Sequence, residues 1–218
     1  MTMRLNPIII NKNVSKNFAQ SVQNDLEKLP KNIKKSVIKH DNKYILSPHM
    51  SDLSPQLKGQ RPRGWPEGTT WDDCEAACNG KQVAFFENAF VKSQAPIKGA
   101  IYHETGHLVD KTFKDVVGTQ FCETDGFKNA YKKDLVTIYD KFTVNNQLKL
   151  PRENFNYFLQ GSSPSKPTLA GLHEAFAEVF TVVNNAFNSK QYNKFILQNF
   201  KNTVEYVDKF VCLFGGKK

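Results

Sequence analysis

Two histidines four residues apart, inside a stretch that reads as helix, constrain this chain more than any other feature. The stretch is Ile101-Tyr102-His103-Glu104-Thr105-Gly106-His107-Leu108-Val109-Asp110. At about 3.6 residues per turn, positions 103 and 107 lie one above the other on a single helix face. Ile97, Ala100, Ile101, Leu108 and Val109 are available to bury the other faces. The spacing predicts a helix from roughly Ile97 to Phe113. Just upstream, Gln82-Val83-Ala84-Phe85-Phe86 is β-branched and aromatic and is bounded by Gly80 and Asn88, so it reads as a strand.

Two imidazoles placed this way can reach one metal ion. Glu104 lies about 100° further round the helix, where it can reach a water on that metal without ligating it. The division of labour that follows makes His103 and His107 zinc ligands and Glu104 the base that takes a proton from the zinc-bound water. Gly106 leaves room beside the metal. The five-residue pattern alone also fits two ordinary histidines on a partly exposed helix, so a third ligand has to be found.

An extended three-histidine pattern is excluded, because position 113 is Phe113 and the glycine expected at 110 is Asp110. The next source is Gly171-Leu172-His173-Glu174-Ala175-Phe176-Ala177-Glu178-Val179-Phe180, which carries two carboxylates one helical turn apart. Phe176, Val179, Phe180, Val183 and Phe187 make that helix strongly apolar, and carboxylates beside such a face need a partner. Glu174 is the expected third ligand, with Glu178 as an acceptor that orients a ligand histidine. His173, about 100° away from Glu174, and Glu123 are rival ligands.

The chain has 218 residues and 39% apolar content, enough for one domain with a real core. It is read as a single domain over 1–218, with an N-terminal helical part (1–47), a catalytic part (48–187) and a C-terminal helix (188–218). No run approaches the ~18 apolar residues of a membrane helix, and no signal peptide is visible, so the chain is expected to be either cytoplasmic or a mature secreted form. The net charge of +9 first suggests an anionic partner. Yet the charge is +6 over residues 1–50, +4 over 188–218 and −1 in between. A nucleic-acid partner is therefore not expected. Lys28, Lys31, Lys34, Lys35 and Lys39 alternate with apolar positions and read as a solvated helix face. Cys74 and Cys78 form one C-x3-C pair without a second, which argues against a structural zinc knuckle. Disulfides and buried thiols both remain open for these two and for Cys122 and Cys212.

Further along, residues 14–39 read as helix broken at Pro30, Lys43–Leu46 as a short strand, and 48–70 as a long Pro/Gly/Ser-rich connection. Residues 127–143 read as helix, Gly161–Pro167 as a loop, Thr168 as a cap for a helix over 169–187, and 191–213 as one more amphipathic helix.

Three segments resemble the catalytic domain of anthrax-lethal-factor-type zinc metalloproteases, a group that includes the secreted Pro-Pro endopeptidases. They are Leu26-Glu27-Lys28-Leu29-Pro30 leading to Tyr44-Ile45-Leu46, His103-Glu104-Thr105-Gly106-His107 with Val109-Asp110, and Glu174-Ala175-Phe176-Ala177-Glu178-Val179-Phe180. The resemblance implies a zincin-like α+β fold with a small mixed sheet, an active-site helix and further helices. It also implies zinc, with Glu174 as its third ligand, and a secreted enzyme. The family places a tyrosine seven residues before that glutamate, where it stabilises the oxyanion. Here that position is Pro167, and the nearest preceding tyrosine is Tyr157, which an insertion could keep in the role. The 67 residues from His107 to Glu174 are longer than the family leads one to expect.

The reading is a zinc endopeptidase, monomeric, acting on a protein or peptide that adds as a strand to the edge at 82–87. The alternatives are a toxin-type effector protease delivered into another cell, a non-catalytic zinc-binding module, and a nucleic-acid enzyme.

Overall fold

The computed structural model describes residues 8–62, 65–141, 160–163, 166–186 and 189–214. Their order is β1 (Ile8–Ile10), α1 (Lys16–Glu27), α2 (Lys31–Lys39), β2 (Lys43–Ser47), α3 (Met50–Leu53), β3 (Ala76–Cys78), β4 (Gln82–Phe86), α4 (Glu87–Ser93), α5 (Ile97–Val117), α6 (Asp125–Tyr139), α7 (Leu169–Val183), α8 (Lys190–Asn199) and α9 (Lys201–Phe214). The fold is α+β, with one small mixed sheet and a majority of helix. The chain divides into two compact units, Met1–Leu108 and Val109–Lys218, with the division falling inside the continuous helix α5.

The first unit is built on the sheet, ordered β1-β2-β4-β3. β1 and β2 run parallel, as do β2 and β4, while β3 is antiparallel to β4. β2 reads Lys-Tyr-Ile-Leu-Ser, nearly continuous in apolar residues, as a parallel strand covered on both faces should. Tyr44, Leu46, Val83 and Phe85 are completely buried on one face. On the other, Ile45, Ala84 and Phe86 pack with Met50 and Ala89, flanked by Leu53, Leu57, Trp71 and Ala77.

This order corrects the expected docking edge. β4 lies between β2 and β3, and its backbone is paired on both sides. A peptide strand cannot add there without displacing one of them. β3 itself, a three-residue strand holding Cys78, went unread because it is too short to show alternation. The long connection at 48–70 also carries local structure, α3 and a 3-10 turn at Pro55–Leu57.

Lys34 corrects the reading of the lysine face. It is buried, and its amine donates to the Glu27 carbonyl at 2.7 Å and reaches the Glu27 carboxylate at 3.3 Å. It thereby satisfies an orphan carbonyl at the end of α1, which solvent would otherwise have to do.

The second unit is helical. Phe121 stands at the centre of an aromatic cluster, with Phe113, Phe127, Phe176, Tyr206 and Phe210 around it. The helix read over 191–213 is two helices, broken at Phe200. Asp134 of α6 causes the break to persist: its carboxylate accepts from the backbone N–H of Asn202 and Thr203 and from both their side chains, at 2.7–3.2 Å. A carboxylate there satisfies the first amides of α9 and favours its positive end.

Candidate metal centre on helix α5

α5 is fixed against the sheet by its own residues. Ile101, Thr105 and Leu108 are fully buried and share one helical face. The Thr105 hydroxyl shares a buried hydrogen bond of 3.1 Å with Tyr44 of β2. The Tyr102 hydroxyl donates to the Lys28 carbonyl at 3.0 Å. Positions 103 and 107 each lie two residues from Thr105, about 200° round the helix. Pinning Thr105 to the sheet therefore turns both histidines to the opposite side.

There the two rings meet. His103 Nε2 and His107 Nε2 are 3.1 Å apart, and the ring planes cross at 84° with centroids 4.8 Å apart. Both side chains are half-buried. Nitrogens this close can both reach one ion placed between them.

Glu104 is half-buried on the same helix. Its charge reaches the thiol of Cys74, which burial first and the Glu104 carboxylate second push up to about 12. The Cys74 Sγ donates to the Ala76 carbonyl at 2.9 Å. Such a thiol stays protonated at neutral pH and is no nucleophile. No disulfide joins the four cysteines, and Cys74 and Cys122 are buried.

α7 supplies the carboxylates. Its first turn is capped as its sequence predicts, with Thr168 Oγ1 accepting from the Gly171 N–H at 3.0 Å. Glu174 is half-buried, and Glu178, one turn on, is 5% exposed. Glu178 Oε2 accepts from the Tyr192 hydroxyl at 3.0 Å, so a buried carboxylate has a polar partner. Nothing in the sequence pointed to Tyr192, which lies in α8 beyond the end of α7.

Of the rival ligands, Glu123 is engaged locally, its Oε2 accepting from the Gln120 N–H at 3.4 Å. His173 lies with Asp110 and Cys122. Tyr157 falls outside the described residues.

Fold and site together define an α+β protein with a paired-histidine centre on its longest described helix. It belongs to the anthrax toxin lethal factor family: the family described as anthrax toxin lethal factor, N- and C-terminal domain, matches residues 2–169. Among solved structures, the chain is similar to the Pro-Pro endopeptidase PPEP-2 from Paenibacillus alvei. The identity is 22% and the TM-score 0.59, over 93% of this chain and 96% of that one, which is a likeness of fold. No curated protein matches the chain in sequence.

Proposed function

We propose that this protein is a zinc-dependent endopeptidase that hydrolyses peptide bonds of a protein substrate. The observation that carries the proposal is the convergence of His103 Nε2 and His107 Nε2 to 3.1 Å on one face of α5, with Glu104 between them in sequence. The donor set fits zinc: two imidazoles from α5 and, from the motif on α7, the Glu174 carboxylate. Two imidazoles and a carboxylate leave a fourth position open, as catalytic zinc requires. Membership of the lethal factor family and the fold shared with a Pro-Pro endopeptidase support the same reading.

In this reading His103, His107 and Glu174 hold the ion. Bound zinc would supply a polarised scissile carbonyl and a water of lowered pKa. Glu104 accepts the proton of the attacking water at its carboxylate and returns it to the leaving amine. Glu178, fixed by Tyr192, orients a ligand histidine. Tyr157 donates its hydroxyl to the developing oxyanion. Secretion from the producing cell belongs to the same proposal, supported by the toxin family, and is checked by fractionating a culture.

The test is a diverse peptide library incubated with the full chain. Cleavage is expected, with loss on adding a chelator and return on adding zinc. Cleavage that is indifferent to the chelator contradicts the reading. Glu174→Ala should lose the metal outright.

A further inference from the structure

We propose that Asp110, Cys122 and His173 form a second metal site, one that takes zinc or a similar borderline divalent ion. The three come from separate elements, namely the second half of α5, the 3-10 turn Phe121–Glu123 and helix α7. One ligand-type atom from each lies within 4.8 Å of the others.

The chemistry of the donors selects the ion. A thiol, an imidazole and a carboxylate together suit zinc and disfavour magnesium or calcium, which prefer oxygen alone. Tetrahedral zinc with these ligands needs donor atoms about 3.3–3.8 Å apart, from bond lengths of about 2.0–2.3 Å.

Two further observations point to a ligand. His173 Nε2 is buried with no hydrogen-bond partner, a costly state for a ring nitrogen. Asp110 is oriented as metal carboxylates are: Oδ1 accepts from the Cys122 N–H at 2.9 Å and Oδ2 from the Gln120 side-chain amide at 3.0 Å. The Asp110 and Cys122 side chains are 1% and 0% exposed, so water competes poorly for the site. Burial first, then the charge of Asp110, hold the Cys122 thiol well above the usual thiol range.

The test uses the full chain, stripped with a chelator and reloaded with cobalt(II). A thiolate-to-cobalt charge-transfer band is expected in the near ultraviolet. The proposed catalytic ligands contain no sulfur, so the band should survive in His103→Ala and vanish in both Cys122→Ser and His173→Gln. Zinc analysis should give two ions in the parent and one in each of these variants. Two ions with a band dependent on Cys122 support the site. A single ion with that band supports it too and instead overturns the catalytic reading. Absence of the band at saturating cobalt, or its persistence in folded Cys122→Ser, overturns the second site. Should Cys122→Ser fail to fold, His173→Gln, which keeps the thiol, decides in the same way.

Discussion

At the scale of single residues, Tyr102 and Thr105 aim the histidine pair. A helix carrying His103 and His107 can roll on a sheet. The Tyr44–Thr105 and Tyr102–Lys28 hydrogen bonds stop that roll on either side of the pair. Tyr44→Phe should therefore cost about 1–3 kcal/mol in urea unfolding, because it leaves the Thr105 hydroxyl buried without its partner. The histidine pair was legible in the sequence because its geometry is local. Its supports were not, since Lys28 and Tyr44 are separated from their partners by 74 and 61 positions. Cys74 offers a pH test. Burial first, then Glu104, raise its pKa from 9.0 to about 12 in the folded chain. The folded state then holds a proton that the unfolded state has lost. The associated stability is complete below about pH 9 and disappears as pH rises towards 12. Cys74→Ala should flatten that alkaline decline in unfolding midpoints, and an unchanged slope would reject the assignment.

At the scale of elements, the errors of sequence reading have one cause: local pattern cannot see a distant partner. Residues 191–213 keep a helical period with neither Gly nor Pro, and the break at Phe200 comes with a cap from Asp134, on another helix. Strand β4 was found to the residue, but its place inside the sheet depends on β3, which alternation in three residues could not reveal. Lys34 looked solvated by period and is buried because α1 ends beside it. The Thr168 cap was legible, since its partner is three residues on. Asp134→Ala should lower stability by about 1–3 kcal/mol by stripping the first amides of α9 of their acceptor, with Asp134→Asn restoring part of it. Chemical denaturation of the two variants checks this. Gly126 opens α6 against the Tyr206 ring, where an added Cβ would overlap the phenol. Gly126→Ala is expected to destabilise by about 1–3 kcal/mol, visible as a lower thermal midpoint.

For the whole molecule, the charge that a first look assigns to an anionic partner sits at the two ends, +6 and +4, and the span containing His103, Glu104, His107 and Glu174 is near neutral. Among the described residues no helix is long and apolar enough to cross a membrane. The α+β architecture and the lethal factor family agree with what the helix motifs alone suggested. The proposed zinc site would bind the folded chain and not the unfolded one, so zinc should raise the thermal midpoint, by the equivalent of about 4 kcal/mol at a thousandfold excess over Kd. The most direct measurement compares Glu104→Ala with the parent chain for both bound zinc and peptide cleavage. The account predicts unchanged zinc at the histidine pair and cleavage reduced by about 10²–10⁴-fold. Full cleavage by the zinc-loaded variant would contradict it.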